Sequence, residues 1–267
     1  MLAGNQVGGP GPAEGADIHG PASSFVSLGG NLVGIGAHLA PVFTQAGDLS
    51  GSPAQPVNAL LGSLASNGGS LPTHLPHAES PVIDIGVPGP GTPLVVDQRG
   101  MPRPGGSAPD AGAVELVTLG FPAWAHFFLG GVGATLPGPG DPVVLAPHQL
   151  PDADPDRDGV PNVLEYLSGG DPLTPSWSAL TRPRYSPATS ELGVRYLVAA
   201  HVVPGSVEVH FEFSENFEHW DPVAPVPEAS LVGLVGSARE MEVVLPGVTT
   251  ATGFVRMTAR LVGLGGE

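Results

Sequence analysis

Glycine and proline interrupt this chain so often that long helices are excluded from most of it. The 40 glycines and 32 prolines make up 27% of the 267 residues. Residues 1–175 hold 56 of them (32%), whereas residues 176–267 hold 16 (17%). A hydrophobic content of 41% still supplies enough apolar surface to offset chain entropy. We therefore expect a folded, turn-dense segment followed, near residue 175, by an ordinary packed domain.

Charge and residue usage exclude several classes of function. The net charge is −16, with nine arginines and no lysine, so binding to nucleic acid or to an anionic membrane surface is not expected. Cations are the more natural partners. The absence of cysteine excludes disulfides, thiolate metal sites and cysteine nucleophiles. No run approaches 18 consecutive apolar residues, so no membrane span is predicted.

Strand patterns dominate the chain. Before residue 119, short apolar runs such as NLVGIG, PVIDIG and GAVELVTL are bounded by turn residues. After residue 175, apolar and polar residues alternate in ELGVRYLVAAH, SVEVHFEF, REMEVVL and FVRMTARL. These alternating runs predict a small antiparallel β-sandwich, in which Trp220 is a core or edge anchor.

One helix is predicted in FPAWAHFFLGG, with Pro122 in the first turn and Gly130 at the end. Its aromatic residues are spaced to share a face, which we expect to pack on the segment around Leu164 and Tyr166: Phe121, Trp124, Phe127 and Phe128. The following TLPGPGDPVV is predicted to be a linker.

The strongest functional pattern is an acidic loop that fits D-x-[DN]-x-[DN]-G-x5-E at every specified position. Calcium needs six to eight oxygen ligands, which alternate side chains, a turn glycine and a closing glutamate supply. The predicted ligands, in order, are Asp154, Asp156, Asp158, the carbonyl of Val160, Asn162 and Glu165, with Gly159 at the turn. The hard oxygen set argues against zinc. The alternative is a solvated, acidic, proline-rich connector.

Three prolines change the setting of this loop. Pro151 and Pro155 break any helix before it, so it is not a full helix–loop–helix hand. Pro161 has no N–H and cannot join the short ladder that pairs two hands. It suits the start of an exiting helix, from about Pro161 to Ser168, ended by Gly169 and Gly170. A single unpaired site is therefore predicted.

The remaining candidates have structural explanations. Asp152 is expected outside the ligand set and Asp171 in a turn. His74 and His77 form an H-x-x-H pattern, but neighbouring prolines deny the helix that would bring the two imidazoles together.

Residues 2–116 resemble the choice-of-anchor Q domain, a family that follows right-handed parallel β-helix repeats in secreted or surface-anchored bacterial proteins. The resemblance rests on four blocks in the family's order: LAGNQV, GADIHGPASSFVSLGGNLVGIG, LLGSLASNGGSLPTHLPHAESPVIDIG and VVDQRGMPRPGGSAPDAGAVEL. It implies that LAGN ends a β-helix rung of a longer protein. The matching DQRG implies a structural ion pair or turn for Asp97 and Arg99, with a role in a polysaccharide-acting groove as the alternative.

A second resemblance concerns DPDRDGVPNVLEYLSGGDPLTP, which is similar to calcium-binding repeats of the thrombospondin type 3 and dockerin kind. Such repeats lie between domains of secreted bacterial proteins. An extracellular module of this kind would bind calcium with a dissociation constant of about 10⁻⁴–10⁻³ M. The implied role is structural, holding two domains in a fixed orientation.

Together these features predict a mainly all-β chain in four segments. They are the end of a parallel β-helix like the choice-of-anchor Q domain (1–119), a helix and linker (120–150), an EF-hand-like calcium loop (151–175) and a β-sandwich (176–267). We expect a non-enzymatic, C-terminal part of an extracellular or cell-surface bacterial protein acting in attachment or adhesion, with surface components or polysaccharide as partners. The alternative is a polysaccharide-binding or polysaccharide-degrading β-helix protein whose active rungs lie upstream.

Overall fold

The architecture is mainly β, as predicted, and falls into two compact units, Met1–Val117 and Thr118–Glu267. The structure, a computed structural model, describes residues 17–18, 20–88, 94–131, 143–175, 181–224, 228–246, 248 and 253–262. The block LAGNQV and most of the TLPGPGDPVV linker lie outside the described residues.

The first unit combines short strands with tight turns. Its elements are 3-10 turns at Ala22–Ser24 and Ala37–Val42 and four strands, β1 (Leu32–Val33), β2 (Leu49–Ser50), β3 (Leu61–Ala65) and β4 (Thr73–Pro76). Strands β1 and β2 pair in parallel, whereas β3 and β4 form an antiparallel pair. A small core of Leu32, Ala59, Val82 and Ala111 lies between the loops. These pairs do not show the stacked rungs of a parallel β-helix, which stays a prediction.

Two buried ion pairs hold the end of this unit. Asp97 binds Arg99 at 2.8 Å, and its carboxylate also accepts the backbone N–H groups of Arg99, Met101 and Glu115. Arg103 binds Glu115 at 2.8 Å. Because the carboxylate of Asp97 is engaged by these structural bonds, the predicted structural ion pair is confirmed.

The second unit contains two antiparallel sheets. Its strands are β5 (Thr181–Ser186), β6 (Glu191–Val198), β7 (Val207–Ser214), β8 (Asp221–Pro222), β9 (Ser230–Val235), β10 (Ala238–Leu245) and β11 (Phe254–Leu261). One sheet has the order β5-β6-β10-β9 and the other the order β11-β7-β8. The alternating runs of the sequence all form strands here. Tyr196 on β6 meets Phe211 on β7 with ring centroids 6.0 Å apart, so the two sheets contact each other through apolar side chains.

Two helices complete the second unit, α1 (Phe121–Leu129) and α2 (Asn162–Ser168). Helix α1 has proline in its first turn and ends at Gly130, as predicted. Trp124 and Tyr166 are fully buried, with ring centroids 5.6 Å apart, and Phe121 meets Tyr166 edge-on at 5.7 Å. Phe121 and Trp124 of α1 therefore pack on Tyr166 of α2, which confirms the predicted contact for these two aromatics. Phe127 and Phe128 form ring contacts within α1.

The hydroxyl of Tyr166 ties this aromatic core to two loops. It donates a hydrogen bond to the carbonyl of Leu119 at 2.6 Å and accepts one from the N–H of Val203 at 3.2 Å. Both loop groups would be left without this partner if the hydroxyl were removed.

We predict that Tyr166→Phe lowers the free energy of unfolding of the second unit by about 1–3 kcal/mol, because a buried donor and acceptor lose their partner while the ring stays in place. Urea denaturation followed by tryptophan fluorescence measures the change. Tyr185→Phe is the matched control, since Tyr185 lies exposed on β5. Equal effects of the two substitutions would contradict the assigned role of the hydroxyl.

Candidate metal centre

The acidic loop is closed at its base by its own backbone. The N–H of Asn162 binds the carbonyl of Ala153 at 2.8 Å, and the N–H of Val163 binds that of Pro151 at 2.9 Å. Residues 143–150, which lead directly into the loop, contain a 3-10 turn, Pro147–Gln149, and no α-helix. The loop is thus held without the flanking helix of a full hand, as its prolines predict.

Each of the three loop aspartates uses one carboxylate oxygen to shape the backbone. Oδ2 of Asp154 accepts the N–H of Gly159 at 2.9 Å, Oδ1 of Asp156 accepts that of Asp158 at 3.2 Å, and Oδ1 of Asp158 accepts that of Val160 at 2.8 Å. One carboxylate oxygen from each aspartate lies within 4.8 Å of those of the other two. These hydrogen bonds curve the loop backbone so that the three carboxylates lie close together.

Helix α2 supplies the other side of the site. Asn162 is fully buried, and its Nδ2 donates to the carbonyls of His148 at 2.9 Å and Leu150 at 2.8 Å. Because both donors of this amide are used, its Oδ1 is the atom left for a ligand role. Glu165, one turn further along α2, is fully buried as well.

Electrostatics around Glu165 are unfavourable without a positive charge. Burial, followed by the negative charges of Asp156 and Asp158, raises the pKa of Glu165 to about 8. Burial and its loop neighbours also raise the pKa of Asp156. Carboxylates crowded in this way repel one another, and a bound cation reverses the sign of that interaction.

The donor set fits a hard cation. Within the described part of the chain, five buried carboxylate and amide oxygens of the loop and helix have no hydrogen-bond partner: Oδ1 of Asp154, Oδ2 of Asp156, Oδ1 of Asn162 and both Oε atoms of Glu165. Native structures rarely leave buried oxygens unpaired. Carboxylate and amide oxygens, with a glutamate able to bind through both of its oxygens, are the ligands that calcium prefers.

The other predicted site residues lie as follows. Asp158 is buried and Val160 half-buried within the loop, whereas Asp152 is exposed outside the aspartate cluster. Helix α2 begins one residue after Pro161 and ends at Gly169, so the predicted exiting helix is confirmed. His74 lies on strand β4 and binds the carbonyl of Gly62 at 2.8 Å.

Sequence reasoning missed two features next to Glu165. Gly170, taken only as a helix terminator, packs closely on Glu165, because a Cβ there would lie only 3.3 Å from Cβ, Cγ and Oε1 of Glu165 and would crowd its side chain. Asp171 adds to the negative field that raises the pKa of Glu165, while its Oδ1 accepts the N–H of Leu173. The glycine pair in the sequence was the signal for this close packing, since one glycine is enough to end a helix.

Comparisons with known proteins found no match: no family model, curated protein or solved structure matches the chain. The resemblances to the choice-of-anchor Q domain and to calcium-binding repeats therefore stay predictions. Neither helix of the described residues is long and apolar enough to cross a bilayer.

We predict that Gly159→Ala lowers the free energy of unfolding by about 1–2 kcal/mol through backbone strain alone. Gly159 has a φ of 89°, yet a Cβ there would meet no atom within 4 Å. Urea denaturation of the second unit measures the loss. Gly233→Ala is the control, because Gly233 also has open space but no left-handed backbone. A neutral Gly159→Ala would show that the loop backbone can relax.

Proposed function

We propose that the second unit is a non-enzymatic structural module that calcium stabilises. The ligands are Asp154, Asp156 and Asp158, the carbonyl of Val160, Asn162 and Glu165, which together supply seven oxygens when Glu165 binds through both of its oxygens. The observation that carries the proposal is the set of five buried carboxylate and amide oxygens without hydrogen-bond partners on this loop and helix.

The contacts of α2 explain how a bound ion would act at a distance. Glu165 and Tyr166 are neighbours on this helix, so fixing the first also fixes the second in the aromatic core. The carbonyl of Leu167 accepts the N–H of Ala199, just after β6, at 2.7 Å. The loop belongs to the same compact unit as both sheets. Calcium would therefore stiffen the second unit internally, by holding α2 against the sheet.

The setting we propose is extracellular or on the cell surface of a bacterium, in attachment or adhesion. A single loop with an affinity of about 10⁻⁴–10⁻³ M fills where calcium is millimolar and stays unfilled in cytosol. The net charge of −16 favours attraction of cations from the medium. The resemblance of the first unit to the choice-of-anchor Q domain supports the same setting.

Calcium is predicted to raise the melting temperature of the second unit. At ten times the dissociation constant, a ligand that binds only the folded state adds about 1.4 kcal/mol. For a unit of this size that corresponds to about 3–6 °C. Differential scanning calorimetry of the full chain in calcium and in EGTA measures the shift, with magnesium as the test of ion selectivity.

The variant Glu165→Gln separates a ligand from a merely structural residue. It should abolish the calcium-dependent shift, yet melt in EGTA no lower than the native chain, because it removes a buried charge while keeping the shape. Glu191→Gln, at an exposed position on β6, should keep the full shift. A native chain without a calcium-dependent shift would refute the site, and so would a shift retained by Glu165→Gln.

One observation favours the alternative function, polysaccharide binding. Three aromatic rings meet at the surface of the β11-β7-β8 sheet: Phe217, Trp220 and Phe254. Phe217 is 61% exposed although its φ of 64° is strained for a phenylalanine. Ser214 and Asn216 hold this loop by accepting backbone N–H groups, and the guanidinium of Arg256 lies 4.5 Å from the centroid of the Trp220 ring. Exposed rings beside charged groups are suited to the apolar faces and hydroxyls of a sugar.

If this aromatic group binds polysaccharide, Phe217→Ala should weaken binding by about tenfold, because the most exposed stacking surface is lost. Affinity electrophoresis in gels containing neutral polysaccharides measures this binding, because a polysaccharide that binds the native chain slows its migration. Tyr185→Ala, on the other sheet, is the control. A native chain that no polysaccharide retards would rule out this alternative and leave the calcium proposal unaffected.

A further inference from the structure

Strand β9, with the sequence SLVGLV, is an unusual edge strand. It lies at the end of the sheet order β5-β6-β10-β9, so its outer side has no strand partner among the described residues. Its apolar side chains are exposed on both faces of the sheet, by 54% at Leu231, 40% at Val232, 39% at Leu234 and 38% at Val235. Exposed apolar edges of this kind are templates for pairing with another strand.

The other sheet edges of the second unit are protected. Strand β5 carries Pro183 between two arginines, and β8 is two residues long and contains proline. Strand β11 carries Arg256 and Arg260, both paired with glutamates of β7. Proline, cations and short length are the usual means of preventing edge pairing. Strand β9 has none of them, which distinguishes it from every other edge of the two sheets within the described residues.

The uncharged, apolar edge of β9 matches the same edge of a second copy of this chain. Two molecules with a net charge of −16 repel each other over most of their surfaces. Residues 229–238, ASLVGLVGSA, contain no charged residue, so this edge is where two copies approach with least repulsion. A strand that pairs with its own copy in antiparallel fashion also satisfies a two-fold axis, which closes the assembly at two molecules.

We propose that β9 of one molecule pairs antiparallel with β9 of a second copy, so that two four-stranded sheets become one continuous sheet. The backbone N–H and C=O groups on the outer side of each β9 then form hydrogen bonds with the other copy. The exposed apolar side chains of the two strands contact each other. The pairing is short, because Val232 is the extra residue of a bulge opposite β10. Because β9 has only six residues, we expect an interface smaller than the standard size and a dissociation constant of about 10⁻⁶–10⁻⁴ M. This inference does not depend on calcium binding.

Cysteine scanning tests the pairing directly, because the native chain has no cysteine. Single variants Leu231→Cys, Val232→Cys and Leu234→Cys of the full chain are oxidised at about 50 µM, in calcium and in EGTA. Disulfide-linked dimers should form efficiently, most of all at the residue nearest the two-fold axis. Val144→Cys is the control, since Val144 is 86% exposed but lies outside the sheets.

Sedimentation equilibrium of the native chain supplies the second measurement. The average mass should rise from monomer towards dimer as the concentration rises to about 100 µM, and Leu231→Lys combined with Leu234→Lys should remain monomeric with an unchanged melting temperature. A monomeric native chain, cross-linking no stronger than that of Val144→Cys, or growth beyond the dimer would each overturn the proposal. If the double lysine variant fails to fold, the cysteine series still decides.

Discussion

The carboxylate of Glu165 imposes the main energetic constraint on the second unit. It is fully buried beside Asp156 and Asp158, and the combined effect holds its pKa near 8. Keeping this carboxyl protonated, or burying its charge, costs several kcal/mol, which is a large share of the roughly 5–15 kcal/mol that stabilises a typical domain. The cost falls next to the loop in which one carboxylate oxygen from each of Asp154, Asp156 and Asp158 lies within 4.8 Å of those of the other two. A divalent cation would convert the repulsion into attraction, so the site and the stability of the unit are coupled.

The stability of helix α2 depends on contacts made by two of its faces. Seven residues are too few for a stable helix in isolation. Consecutive residues point about 100° apart around a helix, so Glu165 faces the acidic loop while Tyr166 faces the aromatic core. Gly169 ends the helix in the left-handed conformation, and Gly170 leaves space for the Glu165 side chain. The same short helix therefore contacts both the acidic loop, through Glu165, and the aromatic core, through Tyr166.

Local pattern predicted much of this arrangement, and long-range pairing accounts for the rest. The period of two in β7 and the placing of Pro161 and Gly169 around α2 are local signals, and both led to correct elements. The spacing of Asp154, Asp156 and Glu165 is also a local signal, and the calcium site that it indicates stays a prediction. The orientation of the Asn162 amide depends on carbonyls 12 and 14 residues away, which no motif contains. Likewise, SLVGLV has the composition of a buried strand, and only the sheet order shows that it lies at an edge. The resemblance to a β-helix concerns stacking of rungs, and the single parallel pair β1–β2 is too little to show it.

The distribution of positive charge explains why an external cation fits this chain. Of nine arginines, six form ion pairs with carboxylates in the described residues: Arg99, Arg103, Arg182, Arg195, Arg256 and Arg260. Two of these pairs are buried in the first unit, and the others lie on the sheets of the second. These six arginines are thus committed to structural pairing, away from the acidic loop. The only basic residue within the loop sequence, Arg157, is exposed and adopts a positive φ. A positive charge from solution would offset the repulsion among the carboxylates around Glu165.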